Sequence, residues 1–532
     1  MKTHFFLVAF FLYQLTVIAQ QDAWIYFTDK PNATALISNP ISILSQASID
    51  RKTNHSIVID ERDVPVHEAY IAQIKASTGI TYKAKSKWFN ALHVRGTEMD
   101  INSLLSYNFV EEIIFADSSL NARMESVQDK FQVESSLINF TYGTTQNQVE
   151  MLNLDELHLA NYTGDGVVVA VIDAGFPNVN TMSAFERLRA AGNLMGGYDF
   201  VDRTDAVYTS TSSQHGTQVL STMAGFVQDQ YVGTAPDATY YLFRTEDVAS
   251  ENPVEESYWL EAVERADSLG VHVINTSLGY KAYDNSNYSY TSTQLNGTTT
   301  YSSKGANIAF EKGLILINSA GNSGASGIAT PADAAGVLTV AAVDEDENYV
   351  SFSSQGSAFQ LTQKPDVAAR GLGSYVINSS NQISQSNGTS FSSPILAGAV
   401  ASLVQALPDA TNAEIVAYVR ESASQYSNPD FFIGYGIPDF QAALTLGVKD
   451  QLYKQLDFQI FPNPAKSTII IKYLNSITNA SLSIHTILGQ LVYKSQLESM
   501  KPVNIEALSK GLYLLKIHIE NQKSIIFKVL KE

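Results

Sequence analysis

The sequence predicts an α/β protein: a doubly wound parallel sheet, preceded by a small α+β unit and followed by a small all-β sandwich. Three observations carry this. Between residues 166 and 344, near-continuous β-branched runs alternate with helical stretches, the pattern of parallel strands covered on both faces. Residues 22–118 mix strand-like and helical runs on a smaller scale. Residues 449–532 are short alternating strands separated by turn signals. A chain of 532 residues has room for all three.

Composition narrows the function classes. Charged residues are 16% of the chain and hydrophobic ones 45%, so a large core lies under a mostly neutral polar surface. The net charge of −19 argues against nucleic acid as a partner, because phosphate binding needs a basic face. There is no cysteine, which excludes disulfides, thiol nucleophiles and thiolate-bound metals.

At the N-terminus, "MKTHFFLVAFFLYQLTVIAQQ" has a short polar start, an apolar run to Ile18 and small residues Val17 and Ala19 at a cleavage position. Residues 1–19 therefore read as a secretory signal peptide, and export is expected. In the unit 20–118, "DAWIYF" (22–27), "WFNALHVRG" (88–96) and "VEEIIFA" (110–116) read as strands. "PVHEAYIAQIKAST" (65–78) and "EMDINSLLSY" (98–107) read as helices. Residues 119–141 are polar and read as a linker.

The central unit spans 142–448. Its strands are "GVVVAVID" (166–173), "TYYLFRT" (239–245), "GVHVINTSLG" (270–279), "GLILINSAGN" (313–322) and "GVLTVAAVD" (336–344), with a helix at 256–270. Residues 280–305, rich in Tyr, Ser, Thr and Asn, read as a long surface loop. Such sheets carry their sites at the carboxyl ends of the strands. Asp173 ends one strand there. His215 opens a helix in "SSQHGTQVLSTMAG", and Gly216 beside it lets another backbone come close. Ser390 sits at a strand-to-helix turn in "QSNGTSFSSPILAGAV", where Pro394 suits a first helical turn and small residues let the helix enter the core. Each residue alone has a bland reading: a turn aspartate, a structural histidine, an N-cap serine. Together, in the order Asp, His, Ser, they are far more specific. A serine needs a base to take its proton, and the base needs a carboxylate to fix its tautomer.

The stretches "VIDAGF", "HGTQVLSTMAG" and "GTSFSSPILAG" resemble the three signature motifs of the subtilisin-like serine proteases, the subtilases or peptidase family S8. The likeness covers about residues 142–447. It implies a subtilisin-like fold in which Asp173 orients the base, His215 is the general acid–base and Ser390 is the nucleophile. It also implies that Asn322, in "NSAGNSG", is an oxyanion-hole donor. By the same resemblance Ser277, Leu278 and Gly279 form a strand that pairs with the substrate backbone. Ser319, Ala320 and Gly321 form the opposite wall of the specificity pocket. Tyr280 stands where many relatives have glycine. Asn387-Gly388-Thr389 fits a glycosylation pattern, but it lies inside the nucleophile motif and is not read as one.

The flanks fit the same account. Residues 20–118 resemble subtilase propeptides, which implies an intramolecular inhibitor and a zymogen. Residues 449–532 resemble the C-terminal sorting domains of the type IX secretion system, through "FPNPA", "ILGQLVY" and "LSKGLYLLKI". That implies the secretion machinery as a partner and the cell surface or medium as the destination. The expected function is a secreted serine-type endopeptidase acting on protein or peptide substrates. The rival is a non-catalytic surface adhesin on a subtilase scaffold. No cofactor is required and no metal ligand is assigned. Structural calcium accompanies many subtilases, and Asp284, Asp344 and Asp346 offer carboxylates, but their spacing defines no site.

Overall fold

In the computed structural model, residues 20–120, 140–455, 459–472, 480–486, 490–498, 500–519 and 525–532 are described. The signal peptide at 1–19 and most of the linker at 119–141 lie outside them, as do parts of the C-terminal stretches, including the start of "ILGQLVY". The chain divides into two compact units, Met1–Leu444 and Thr445–Glu532.

The first unit is built on a seven-stranded parallel sheet. Its strands are β1 (Val168–Asp173), β2 (Leu194–Asp199), β3 (Thr239–Arg244), β4 (Val273–Thr276), β5 (Ile315–Ser319), β6 (Val337–Val343) and β7 (Val367–Arg370). They lie in the order β7-β6-β5-β4-β1-β3-β2. The chain fills one side of β1 with β3 and β2, then crosses to the other with β4. The ends of β1 and β4 therefore flank the crevice where such a sheet reverses direction. Strands β4 to β7 are buried throughout, as expected of largely apolar strands in a parallel sheet covered on both faces. Four helices matter for the site: α1 (His215–Ala224), α2 (Val254–Leu269), α3 (Tyr301–Glu311) and α4 (Thr389–Ala406).

The N-terminal region forms an antiparallel sheet in the order Thr81–Ser86, Ala91–Thr97, Gln20–Phe27, Val110–Phe115. Its middle strand alternates. Ala23, Ile25 and Phe27 share a core with Ile71, Ile74 and Ile101 of the region's own helices. Trp24, from the other face, packs with Trp88 against Val254, Tyr258 and Trp259 of α2. Trp24 also stacks on Tyr301, with ring centroids 4.5 Å apart, and donates its indole N–H to Ser257 at 2.8 Å.

Polar groups complete this boundary. Glu264 of α2 accepts from the Ser86 hydroxyl at 2.5 Å and from the backbone N–H groups of Lys87 at 2.8 Å and Trp88 at 3.1 Å. Burial pushes its carboxyl up to about 7, against the pull of Lys87 and these bonds. One turn on, Asp267 meets Arg51 at 2.5 Å and Lys52 at 2.8 Å. Lys312 reaches back to Asp63 at 2.7 Å.

The stretch 280–305 corrects the expectation of a surface loop. Tyr280, Tyr283, Tyr288 and Leu295 are buried, and the last residues begin α3. The reason is a partner for each phenol. Tyr283 and Tyr290 donate to Glu256 of α2 at 2.5 and 2.7 Å, and Tyr280 donates to Glu246 at 2.7 Å.

The second unit holds two antiparallel sheets, one of three strands (Gln459–Phe461, Thr468–Lys472, Pro502–Asn504) and one of four (Leu491–Gln496, Ala480–Thr486, Gly511–Ile519, Ile525–Lys531). Ile469, Ile471 and Val503 from the first share a core with Leu482, Ile484, Leu515 and Ile517 from the second, which makes the expected sandwich. The helix Phe440–Gln455 runs across residue 449, and the first strand starts at Gln459.

Candidate active site

Asp173 is the last residue of β1 and is fully buried. One carboxylate oxygen, Oδ1, accepts from the backbone N–H of Ala174 and from His215 Nδ1, both at 2.7 Å. The bond to Nδ1 leaves Nε2 as the imidazole's second, outward nitrogen. His215 opens α1, and its side chain is 31% exposed, so one edge of the ring faces the cleft. Gly216 permits this approach: a Cβ there would lie 2.5 Å from the Gly175 carbonyl oxygen and 3.0 Å from the Asp173 Cβ. Burial lowers the His215 pKa, but the Asp173 charge and hydrogen bond outweigh it, with help from Glu246. The ring therefore holds its proton above the ordinary histidine range.

Ser390 is the second residue of α4 and is partly exposed. Phe391, its neighbour, places its ring 5.9 Å from that of His215. Among the described residues the Ser390 hydroxyl forms no hydrogen bond, so it is free to turn toward the imidazole. Gly388 precedes the helix at φ +146, a conformation that suits glycine alone.

The expectation that Pro394 sits in the first helical turn is corrected. The helix starts at Thr389, and Pro394 lies inside it. A proline there has no N–H for the carbonyl four residues back, which is that of Ser390. The Ser277 hydroxyl donates to this freed oxygen at 2.9 Å. Ser393 in turn donates to Asn275 of β4 at 2.8 Å. The helix fault thus ties the Ser390 backbone to the strand beside it.

Asn322 lies past the end of β5. Its carboxamide oxygen accepts from the Thr389 N–H at 2.9 Å and from the Thr389 hydroxyl at 3.0 Å. The Thr389 hydroxyl also accepts from the Gly321 N–H at 3.1 Å. With the oxygen committed, the amide Nδ2 is left as donor. It and the Ser390 nitrogen lie 3.4 and 3.7 Å from the point where a Gly388 Cβ would be. A side-chain amide and a backbone N–H in one neighbourhood are the donor types that a tetrahedral oxyanion needs. Thr389 was not singled out by sequence reasoning, although it lay inside the nucleophile motif.

The remaining expected residues follow the ends of two neighbouring strands. Ser277 is buried, Leu278 half-buried and Gly279 exposed after the end of β4. Ser319 and Ala320 are buried at the end of β5, and Gly321 is half-buried. Asn318 ties the two segments together, donating to the carbonyl oxygens of both Leu278 and Ser319 at 2.9 Å. Among the described residues no three His, Asp or Glu side chains gather as metal ligands. Asp344 instead accepts backbone N–H groups of its own turn, from Asp346 at 3.0 Å and Asn348 at 2.8 Å. No helix of the described residues is long and apolar enough to cross a membrane.

Comparison with known proteins shows the family. Residues 164–436 match the model of the subtilase family, residues 22–132 that of the peptidase S8 propeptide domain of Bacteroidota, and residues 459–532 that of a secretion-system C-terminal sorting domain. An alkaline protease of Alkalihalobacillus alcalophilus is 25% identical over 414 residues, covering 77% of this chain and 97% of the relative. Subtilisin E of Bacillus subtilis (strain 168) is 31% identical over 307 residues, covering 57% of this chain and 70% of the relative. A solved structure of MycP1 from Mycobacterium smegmatis aligns with a TM-score of 0.45 and 24% identity, over 61% of this chain and 89% of that one. With the family match spanning half its length, the chain belongs to the subtilases, as a secreted subtilisin-like protease with a propeptide domain and a sorting tail.

Proposed function

We propose that this protein is a serine-type endopeptidase that cleaves peptide bonds through an acyl-enzyme on Ser390. The observation that carries the reading is the 2.7 Å bond from His215 Nδ1 to buried Asp173, at the mouth of the helix that bears Ser390. His215 Nε2 takes the Ser390 proton as Oγ attacks the substrate carbonyl. Charge then develops on the carbonyl oxygen, where the Ser390 N–H and Asn322 Nδ2 meet it. His215 passes the proton to the leaving amine, the C–N bond breaks, and water repeats the sequence on the ester. Asp173 keeps its charge and holds the ring. None of these steps draws on a cofactor, and calcium, where it binds, has a structural part only.

The peptide lies extended between Ser277–Gly279 and Ser319–Gly321, as an added strand. The propeptide acts as an inhibitor held by α2 and α3. Residues 1–19 act as the signal peptide, and the tail is read by the type IX machinery, which delivers the enzyme to the surface or the medium. A serine-directed phosphonate tests the central claim. It should label Ser390 and no other serine, and Ser390→Ala should remove both label and hydrolysis. A folded protein that takes no label would be a binding protein on a protease scaffold. Deleting residues 459–532 should leave hydrolysis intact and stop the protein reaching the surface of its own cell.

A further inference from the structure

Tyr280 comes directly after Gly279 and is almost fully buried, at 1% exposure. It is fixed at three points. Its phenol donates to Glu246 Oε1 at 2.7 Å, just past the end of β3. Its N–H donates to the Thr330 carbonyl at 2.8 Å, and its carbonyl accepts from the Thr330 N–H at 3.1 Å. Thr330 is itself held, its hydroxyl lying 2.6 to 2.8 Å from those of Thr300, Ser302 and Ser303.

Glu246 is equally committed. The same oxygen accepts from the Thr245 hydroxyl at 2.9 Å, and the Thr245 N–H donates to the Asp173 carbonyl at 3.2 Å. Burial pushes the Glu246 carboxyl up to about 7, against the pull of its Tyr280 and Thr245 bonds, while Glu251 and Asp173 add to the rise. Either protonation state leaves an oxygen to accept from a neutral phenol. A continuous bonded path thus runs from the end of β1 through Thr245, Glu246 and Tyr280 to Gly279.

Gly279 is the place that needs such a path. It is exposed and has no side chain with which to anchor itself, and a Cβ there would come within 3.1 Å of Ala329. A strand tip of this kind is held only through the anchored residue next to it in the chain. We propose that Tyr280 and Glu246 are a positioning pair that fixes the strand Ser277–Gly279 for peptide pairing, and so make the enzyme favour extended substrates over short ones. This rests on the reading of Ser277–Gly279 as the substrate strand. Neither residue touches substrate; both act through the backbone of Gly279.

The test compares two substrates on enzyme produced from the full chain. One is a single-residue p-nitrophenyl ester, too short to reach Gly279, and the other is a tetrapeptide anilide. In Tyr280→Phe the ratio of kcat/KM, long over short, should fall about tenfold, chiefly through KM on the long substrate. Glu246→Ala should lower the ratio equally, and Glu246→Gln, which keeps an acceptor, should restore most of it. The double variant Tyr280→Phe/Glu246→Ala should be no worse than Glu246→Ala alone, since that change already removes the Tyr280–Glu246 bond. An unchanged ratio, equal losses on both substrates, or additive losses in the double variant would overturn the pair. Wild-type enzyme that hydrolyses neither substrate would overturn the protease reading, and the pair with it.

Discussion

The helix that bears Ser390 and the helix that carries the propeptide domain are both largely buried, but they bury different chemistry. In α4 every residue except Ser390 is buried, and none is charged. In α2 the buried residues include Glu255, Glu256, Glu264 and Asp267 beside Trp259, Leu260 and Val263. The neighbours of α4 belong permanently to the fold, so an apolar contact suits it. Two of the α2 carboxylates instead face groups of the propeptide: Glu264 meets Ser86, Lys87 and Trp88, and Asp267 meets Arg51 and Lys52. Such groups are satisfied while the domains are joined and return to water when they part. A boundary built this way can hold a propeptide in one register and still be left behind.

The comparison breaks first on the nucleophile side. Ser390→Ala should lower kcat by about a millionfold, a scale taken from subtilisin, while circular dichroism and thermal melting stay at wild type. A small loss would mean that α4 does not start at the reacting atom. Asn322→Ala should come next, with kcat down about 100- to 1000-fold and KM nearly unchanged. A change confined to KM would move Asn322 from the oxyanion to the substrate wall.

On the propeptide side, the sharpest change is Glu264→Ala. It leaves the N–H groups of Lys87 and Trp88 buried without their acceptor, at about 1–3 kcal/mol each. After cleavage the propeptide should dissociate about a hundredfold more readily, seen as its loss from the enzyme in size-exclusion chromatography. The kcat of the freed enzyme should not move. If kcat fell as well, α2 would belong to the catalytic machinery and the contrast would fail.

The same contrast decides what was legible in the sequence. The apolar runs of β1, β3, β4, β5 and β6 were read directly, because burial on both faces leaves a continuous pattern. So were the motifs around Asp173, His215 and Ser390, whose chemistry demands fixed residue types. The edge strand β2 was missed. Its sequence, LMGGYD, has two glycines, and Gly197 packs so tightly on β3 that a Cβ would lie 1.7 Å from the Leu242 carbonyl oxygen. The helix Gln46–Asn54 was missed as well, because QASIDRKTN reads as solvent-facing while it buries Arg51 and Lys52 against Asp267. Hydrophobic periodicity cannot show a polar residue that is buried with a partner far away in the chain. Tyr283, Tyr290 and Glu256 were hidden for that reason, and so were Tyr280 and Glu246, although a tyrosine where many relatives have glycine was itself a signal.

The smallest effect expected is on pH, and it sets activity and stability against each other at one pair. In the folded protein His215 holds its proton above the ordinary range, despite its burial, because of Asp173. Only the neutral ring accepts the serine proton, so kcat/KM should rise with pH and level off above a midpoint higher than that of a free histidine. Stability runs the other way. A pKa raised on folding means that the folded state holds the proton more tightly. The stabilisation is fully present below the unfolded histidine value and is lost as pH climbs through the folded one. Between the two values the pair still adds to stability while most of the enzyme is inactive. Asp173→Asn removes the charge that raises the pKa. The midpoint of its residual activity should fall toward or below that of free histidine, and the pH dependence of its melting temperature over that window should flatten. An unmoved midpoint would show that something other than the Asp173 carboxylate sets the His215 proton.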